Sequence, residues 1–425
     1  MMMGKTKNGN VQQEGYLILL CSIILINGFL AVSLVKTPID YWLLAALGAL
    51  ISIWFAVHSI IRRKSKGDIL LLPLALLLSA IGLTMVYRLK PNLFLTQVGW
   101  NVIGLIAFTV TTALCRNLER LADYKYLAGI LGVSLLLAAA LFGVEIGGNK
   151  NWIILGPVRF QPAEFAKLFI ILFLAAYLTE RREVLTYATR KYGLFMLPQL
   201  RFVAPLLAIW GITMVMLIFQ RDLGAALLYF GTTLAMIYLA SGRISYILQG
   251  MLLFVAGATL CYFIFPHVQV RVDIWLNPWS DPNGKAYQIV QSLFALGSGG
   301  VLGSGLTYGF PGLIPEVHTD FIFAAIGEEM GFLGSAAVLI TYMLLLYRAF
   351  RIAINSSNSF QQITVGGLAI FLGLQILLIV GGVTKFMPLT GVTLPFISYG
   401  GSSLTSNFIL LGILFAASES GENDA

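Results

Sequence analysis

The sequence predicts an all-α polytopic membrane protein with about 12 transmembrane helices and one large extramembrane loop. Of its 425 residues, 58% are hydrophobic and 11% are charged, whereas a soluble domain carries about 25% charged residues. The apolar residues occur in runs of roughly 20, the length that crosses the hydrocarbon core of a bilayer. The net charge of +8 comes from basic residues in short loops, which indicates membrane orientation rather than nucleic-acid binding.

Twelve apolar runs are predicted to be spans. In chain order they are Gly15–Lys36, Asp40–Ile61, Ile69–Tyr87, Leu95–Cys115, Tyr124–Gly143, Pro162–Thr179, Phe202–Ile218, Leu223–Ala240, Ser245–Phe265, Phe321–Tyr347, Gln362–Thr384 and Pro395–Ala417. The seventh and eighth are short and are joined by Gln220-Arg221-Asp222. Cysteines occur only at 21, 115 and 261, and their spacing indicates neither a disulfide framework nor a metal site.

The basic residues predict the orientation of the chain. They cluster at 62–66 and 181–201, and loops rich in Lys and Arg stay in the cytoplasm. Both termini are then cytoplasmic, and the loops at 144–161 and 266–320 lie outside. The chain divides into a tail and hairpin at 1–66, a core at 67–418 and a cytoplasmic tail at 419–425.

The long outer loop at 266–320 is predicted to be partly helical. It carries Trp275, Trp279 and Tyr287 among Pro, Gly and charged residues, and a mildly apolar run at 289–296. This composition argues against disorder. An amphipathic segment lying on the membrane surface fits it better.

Ionisable residues at membrane depth are candidates for function because they are costly there. Glu164 and Lys167 are three residues apart on one predicted helix face, where they form either the wall of a polar cavity or a structural ion pair. Glu328 and its neighbour Glu329 lie in the tenth span, where they either pack between helices or face a cavity. Lys385 closes the eleventh span, where it either reaches the membrane surface or holds a phosphate.

Asp281 lies in the strong turn signal Asn277–Gly284 of the outer loop. Its carboxylate could simply cap that turn. A carboxylate outside the membrane could also act as a general base that takes a proton from an attacking hydroxyl. Cations on the same side could stabilise an anionic leaving group such as a diphosphate. The candidates are Arg221, Arg271, Lys285 and Lys385.

The run at 394–403 is rich in Gly and Ser and lies at the entrance of the last predicted span. Small residues allow helices to approach closely, and hydroxyls can hydrogen-bond between them. The same run could present backbone N–H groups to a phosphate. Its composition alone does not choose between these interpretations.

Several strings in order along the chain resemble the SEDS family of shape, elongation, division and sporulation proteins. They are Phe160–Lys167, Gln220–Gly224, Asn277–Gly284 followed by Tyr287–Ser292, Pro315–Phe321, Gly327–Glu329 and Leu389–Ser403. The resemblance covers residues 68 to about 415, and several independent strings in register make it specific.

The resemblance implies a peptidoglycan glycosyltransferase of the bacterial cytoplasmic membrane. It implies that the chain polymerises lipid II into a β-1,4-linked glycan and releases undecaprenyl diphosphate. It places the family's essential extracytoplasmic aspartate at Asp281, and the family's paired Glu and Lys at Glu164 and Lys167. The other candidates for the cavity or for substrate binding are Arg221, Asp222, Arg271, Lys285, His318, Asp320, Glu328, Lys385, Ser398 and Ser402.

The expected partners follow from the same resemblance. They are a class B penicillin-binding protein, other proteins of the elongation or division complexes, and membrane lipid, but not nucleic acid. A divalent cation (Mg²⁺ or Mn²⁺) is an expected cofactor, and no organic cofactor is expected.

A lipid II flippase and a non-catalytic scaffold for the transpeptidase are the alternative functions. The sequence does not choose between elongation, division and sporulation.

Two features depart from the family pattern. The family core has ten spans, so the first two predicted spans, Gly15–Ile61, are additional. Arg221 also stands where the family often has proline. This exchange puts the local geometry of the turn in question.

Overall fold

The computed structural model describes residues 2–36, 40–146, 149–156, 158–186, 189–192, 195–198 and 200–420. Part of the basic segment 181–201 and the end of the predicted tail at 419–425 lie outside the described residues. The helices are α1 Met2–Lys36, α2 Tyr41–Lys64, α3 Leu71–Leu89, α4 Phe94–Leu114, α5 Lys125–Phe142, α6 Pro162–Glu180, α7 Arg182–Thr186, α8 Leu200–Phe219, α9 Leu223–Ser241, α10 Ile244–Ile264, α11 Pro266–Leu276, α12 Tyr287–Gly299, α13 Ile322–Ile354, α14 Ser359–Val383 and α15 Gly401–Ser420.

The helices confirm the prediction of a polytopic membrane protein. Ten stretches of the described chain are long and apolar enough to span a membrane. One of them, Pro91–Phe142, contains both α4 and α5, and α8 contributes the shorter apolar stretch Ala204–Phe219. Each of the twelve predicted spans therefore corresponds to one helix.

The last predicted span begins too early. The sequence placed its start at Pro395, but α15 begins at Gly401. Phe396 has φ +65°, a left-handed conformation that an α-helix does not contain. The residues before Gly401 therefore form a compact loop, in which Ile397 and Ser398 are buried.

The chain forms two compact units. The first comprises Met1–Arg116, Asp273–Arg348 and Ile376–Ala425, and the second comprises Asn117–Val272 and Ala349–Gln375. In the first unit α4 packs on α15, where Gly104 leaves room for Phe408. In the second unit α5 packs on α6, where Gly132 leaves room for Ile170. Small residues allow this close approach of helices.

The N-terminal hairpin is joined to the first unit by packing and by charge. Helix α1 packs on α3, and Gly28 faces Thr84 at a distance that no side chain at 28 would allow. At the other end of the hairpin the buried Arg62 pairs with the buried Glu14. Arg62 Nη1 also donates to the carbonyl of Gly67, 2.7 Å away, at the start of the predicted core. A buried charge needs such partners.

Helix α13 is broken inside the membrane-spanning stretch, which the prediction of one continuous span missed. Gly331 has φ +67° and ψ −165°, a conformation that only glycine adopts at low cost. The segment after α12 supplies the hydrogen bonds that the break removes. Phe332 N donates to Gly300 O at 2.9 Å, and Ser304 N donates to Glu328 O at 2.9 Å. Backbone groups at membrane depth require such replacement partners.

Two small sheets lie in segments that the sequence treated as loops. Strands β1 Val144–Ile146, β2 Asn149–Leu155 and β3 Val158–Phe160 form an antiparallel sheet in the order β1-β2-β3. Strands β4 Thr189–Tyr192 and β5 Phe195–Pro198 form a hairpin. The strands are short, so the alternation of apolar and polar residues was too brief to distinguish them from loops.

Candidate functional site

Asp281 occupies a tight, exposed turn between α11 and α12 in the first unit. A 3₁₀ turn at Pro278–Ser280 precedes it, and α12 begins six residues after it. Asp281 Oδ2 accepts a hydrogen bond from Lys285 N at 3.0 Å. The carbonyl of Asp281 accepts from Ala286 N at 3.2 Å. The carboxylate therefore caps the turn through one oxygen, while no described group is hydrogen-bonded to the other oxygen, Oδ1.

Gly284 fixes the position of this carboxylate. A Cβ atom at residue 284 would collide with both carboxylate oxygens of Asp281. The absence of a side chain at 284 thus lets the carboxylate fold back onto the turn. Gly284 belongs to the turn string predicted from the sequence, but its specific contact with Asp281 was not predictable from spacing.

The residues on either side of the turn are held to other parts of the first unit. Trp275 Nε1 in α11 donates to Lys385 O at 3.2 Å. Ser292 Oγ in α12 donates to Val383 O, at the end of α14, at 2.7 Å. The Trp279 ring lies 5.9 Å from the Phe294 ring. The prediction that this loop is partly helical is thus confirmed. The contacts of α11 and α12 restrain the turn that contains Asp281.

The segment that contains His318 and Asp320 is joined to the Gly- and Ser-rich loop before α15. Tyr399 N donates to His318 O at 2.9 Å. Ser398 Oγ donates to Thr319 O at 2.6 Å and accepts from Leu394 N at 2.9 Å. Burial lowers the pKa of His318, Lys90 lowers it further, and Glu316 opposes the shift. His318 is therefore biased toward its neutral form.

Both predicted glutamates of α13 have partners in the first unit. Glu328 Oε1 accepts from Phe310 N at 2.6 Å. Glu329 pairs with Arg88 at 2.8 Å, and both side chains are buried. Arg88 Nη2 also donates to Gly309 O at 3.0 Å. The structure thus places the two glutamates at the loop beside the helix break. Arg88 is not among the residues predicted from the sequence, although a cation at the end of an apolar run is a recognisable signal.

Glu164 and Lys167 form an ion pair in the second unit. Lys167 Nζ lies 2.7 Å from Glu164 Oε2, as their shared helix face predicted. Lys167 is 1% exposed, and its ammonium lies 5.1 Å from the centre of the Phe371 ring. Tyr229 donates to the carbonyl of Ala163 at 2.8 Å and so ties α9 to the start of α6.

Asp222 is buried at the start of α9 in the second unit. Its Oδ2 accepts from Asn151 Nδ2 at 2.7 Å, and its Oδ1 accepts from Ala225 N at 3.0 Å. Burial raises the pKa of Asp222, while the hydrogen bonds from Ala225 and Asn151 and the charge of Arg271 oppose this rise. Asp222 therefore joins β2 to the N-terminus of α9.

Arg221 has φ +58°, which the ring of proline does not permit. The local backbone therefore differs from that of a proline-containing turn. Its guanidinium lies 3.6 Å from the carboxylate of Glu145, and both side chains are more than half exposed. Such an exposed pair contributes little stability.

The predicted site residues fall in both units. Those of the first unit are Asp281, Lys285, His318, Asp320, Glu328, Lys385, Ser398 and Ser402. Those of the second unit are Glu164, Lys167, Arg221, Asp222 and Arg271. Within the described residues, no group of three or more His, Cys, Asp or Glu side chains is placed to hold a metal ion.

Comparison with known proteins reveals close relatives. Residues 67–423 match the family model FTSW_RODA_SPOVE, described as cell cycle protein. The chain is 40% identical to the peptidoglycan glycosyltransferase RodA of Mycobacterium tuberculosis over 95% of this chain and 90% of that protein. It is 33% identical to stage V sporulation protein E of Bacillus subtilis over 84% of this chain and 98% of that protein.

A solved structure shares the fold. It comes from work on the structural coordination of polymerization and crosslinking by a peptidoglycan synthase complex, and its TM-score to this chain is 0.69 at 26% identity. The match covers 84% of this chain and 98% of that chain. The match to the mycobacterial protein covers 95% of this chain and therefore includes part of residues 1–66. The family model, in contrast, begins at residue 67.

The helices and their buried charges define this chain as a polytopic membrane protein. The exposed carboxylate of Asp281 lies in a loop that hydrogen bonds hold in place. The matched residues identify its family as well. The chain belongs to the FtsW/RodA/SpoVE family, which is the SEDS family that its motifs resemble.

Proposed function

We propose that this chain polymerises lipid II into β-1,4-linked glycan strands on the outer face of a bacterial cytoplasmic membrane. Its family membership and the names of its relatives make it a peptidoglycan glycosyltransferase. The observation that carries the proposed chemistry is the position of Asp281. Its carboxylate is exposed, is fixed by Lys285 N and Gly284, and has one oxygen to which no described group donates.

Asp281 acts as the general base in this proposal. Its Oδ1 accepts the proton of the acceptor's 4-hydroxyl while that oxygen forms a bond to the anomeric carbon of the donor. The bond between the anomeric carbon and the phosphate oxygen breaks, and its electron pair leaves with undecaprenyl diphosphate. Lys285, which is exposed on the same turn, provides positive charge that stabilises the leaving anion.

A divalent cation stays a prediction. Among the described residues the acidic side chains do not gather into a protein-built cation site. Magnesium commonly binds through one or two carboxylates together with substrate phosphates, and Asp281 is a carboxylate of that kind. The proposed proton transfer does not depend on the cation.

The experiment is glycan-strand synthesis from labelled lipid II by purified wild-type and Asp281→Asn protein. Asparagine keeps an oxygen that can accept from Lys285 N, but it is not basic. Polymerisation is expected to fall about 10²–10⁴-fold, the usual contribution of a general base. Expression and membrane insertion are expected to persist, because Asn caps about as well as Asp.

The control is Asp273→Asn, which changes an exposed carboxylate in α11 that no step of the proposed reaction uses. It is expected to polymerise lipid II at the wild-type rate. Near-normal polymer from folded Asp281→Asn protein would return Asp281 to a capping role. Absence of polymer from the folded wild-type protein would instead favour the flippase, which needs no base outside the membrane. Binding of the variant to its transpeptidase partner verifies that it is folded.

We also propose a class B penicillin-binding protein as the partner and a cytoplasmic location for both termini. The structural relative comes from a complex that joins polymerisation to crosslinking, which supports this choice of partner. The orientation is tested by labelling single cysteines with an impermeant thiol reagent in wall-stripped cells. Ser280→Cys is expected to react and Lys66→Cys is not, and both positions are exposed in the structure.

Cysteines 21, 115 and 261 are replaced by Ser in this experiment so that only the introduced thiol reports. Labelling after membrane rupture shows that the thiol at residue 66 can react. If residue 66 is labelled in intact cells and residue 280 is not, the orientation is inverted and Asp281 lies on the wrong side for polymerisation.

A further inference from the structure

Four basic side chains are exposed in the first unit where α2 and α4 end. This surface, the basic rim, comprises Arg63, Lys64, Lys66 and Arg116. Helix α2 packs beside α4, and Arg116 Nη2 donates to Lys64 O at 2.7 Å. This hydrogen bond joins the ends of the two helices, so the four cations belong to one continuous surface.

The backbone that carries three of these cations is fixed by its inward-facing residues. The buried Arg62 pairs with Glu14 and donates to Gly67 O at 2.7 Å. Ser65 is buried, and its Oγ accepts from Gly67 N at 3.3 Å. A side chain at residue 67 would collide with the Phe415 ring. The exposed cations are therefore presented from a restrained backbone, which reduces the entropy that a bound ligand must overcome.

The carboxylates next to the basic rim do not neutralise it. Glu14 is fully buried and pairs with Arg62. Asp68 pairs with Arg348. Glu419, at the end of α15, is partly buried. Among the described residues, no carboxylate lies within ion-pairing distance of any of the four cations. The rim therefore keeps an excess of positive charge that favours an anionic ligand.

Exposed apolar side chains lie beside the basic rim. Ile60 is 48% exposed and lies one turn before Lys64 on the same face of α2. Val110 and Leu114 are 49% and 78% exposed and share a face of α4, the helix that precedes Arg116. Both helices belong to stretches apolar enough to span a membrane. Cations thus follow directly on surface that faces hydrocarbon, as the headgroup of a lipid follows on its acyl chains.

We propose that the basic rim binds the phosphodiester headgroup of an anionic phospholipid, with the acyl chains against the exposed apolar faces of α2 and α4. Cations at a membrane surface attract anionic lipids, and guanidinium and ammonium groups donate to phosphate oxygens. The rule that basic loops stay in the cytoplasm explains cations near span ends. It does not explain the hydrogen bond that joins Arg116 to the backbone of Lys64.

The lipid gives the additional N-terminal hairpin a role. Three cations of the basic rim precede residue 67, where the family match begins, and Arg116 lies within that match. A phospholipid bound to the rim therefore bridges the hairpin and the family core. Because a ligand that binds only the folded protein stabilises it, the anionic lipid is expected to stabilise the chain against unfolding.

The test titrates the full-length protein in neutral detergent with phosphatidylglycerol and with phosphatidylcholine of identical acyl chains, and native mass spectrometry measures the affinities. Wild-type protein is expected to prefer phosphatidylglycerol. The triple variant Arg63→Gln, Lys64→Gln, Lys66→Gln is expected to bind it at least about 10-fold more weakly, because each cation at a membrane surface contributes about 5-fold. The charge-retaining variant Arg63→Lys, Lys64→Arg, Lys66→Arg is expected to stay within about 3-fold of wild type.

Arg351→Gln is the matched control, because it removes an exposed cation from the last turn of another span, α13. It is expected to leave the affinity unchanged. Phosphatidylglycerol is expected to raise the melting temperature of wild-type and Arg351→Gln protein, but not that of the triple Gln variant. Glycerol 3-phosphate, which carries a phosphate without acyl chains, is expected to raise none of them.

Equal affinity of the wild-type and the folded triple Gln protein for phosphatidylglycerol overturns the proposal and leaves the cations to set membrane orientation. Equal weakening by Arg351→Gln overturns it too, because the effect is then general electrostatics. Lack of preference for phosphatidylglycerol, or equal stabilisation by glycerol 3-phosphate, also excludes the lipid as the ligand. These measurements require no polymerisation, so their outcome is independent of the proposed function.

Discussion

The two units use their aspartates in opposite ways. Asp222 in the second unit is 5% exposed, and both of its carboxylate oxygens accept hydrogen bonds from Asn151 and Ala225. Asp281 in the first unit is exposed, and only one of its oxygens accepts a described hydrogen bond. Both residues stand in turns before a helix, so residue type and local position do not separate them.

The difference shows what makes a carboxylate available for chemistry. Burial raises the pKa of Asp222, and its two oxygens accept from Asn151 in β2 and from Ala225 at the start of α9. One oxygen of Asp281 has no donor among the described residues, and in the proposed function this oxygen takes the substrate proton, while the other oxygen accepts from Lys285 N and the carboxylate lies against Gly284. A carboxylate that acts as a general base therefore needs one oxygen that holds it in place and one that accepts no hydrogen bond from the protein.

The largest effect is expected at the Glu164–Lys167 pair, in which Lys167 is buried and Glu164 is partly buried. Lys167→Ala removes the ammonium that lies 2.7 Å from Glu164, and loss of one partner of a buried pair costs up to about 3–5 kcal/mol. Thermal unfolding in detergent is expected to show this loss. The double variant Glu164→Gln with Lys167→Met is expected to recover part of the stability, and no recovery would contradict a direct pairing.

The variant Gly284→Ala tests whether the direction of the Asp281 carboxylate matters for activity. The new methyl group would collide with the Asp281 carboxylate and turn it away, although the carboxylate itself would still be present. A displacement of about 1 Å typically costs about 10²-fold in rate, so lipid II polymerisation is expected to fall by about that factor.

Gly297→Ala is the control for this prediction. It lies in α12, and a Cβ atom there meets nothing within 4 Å. Its polymerisation rate is expected to match that of wild type. Equal activity of Gly284→Ala and wild type would mean that the direction of the Asp281 carboxylate does not matter.

The smallest effect is expected for Asp222→Asn, the same exchange that is expected to disable Asp281. Asn can still accept a hydrogen bond from Ala225 N. The melting temperature is expected to change by the equivalent of about 1 kcal/mol or less, with polymerisation near the wild-type rate. A folded Asp222→Asn protein without activity would contradict this contrast between the two aspartates. It would indicate that Asp222 takes part in the reaction.

The sequence by itself determined the membrane class, the twelve helices and the family. These depend on apolar runs and on local strings, which can be read without knowing contacts. Glu164 and Lys167 were paired correctly for the same reason, since a spacing of three residues on a helix fixes their proximity. Asp281 was singled out by its turn and by the resemblance, and its role as general base stays a prediction.

Only the tertiary structure decided which groups restrain one another. Residues 281 and 284 are neighbours in sequence, but the close approach of the carboxylate to Gly284 depends on the folded turn. The Asn151–Asp222 and Arg88–Glu329 pairs join residues 71 and 241 positions apart, and the break in α13 is stabilised by the segment after α12. Such long-range partners follow from the path of the whole chain, which local propensity does not encode.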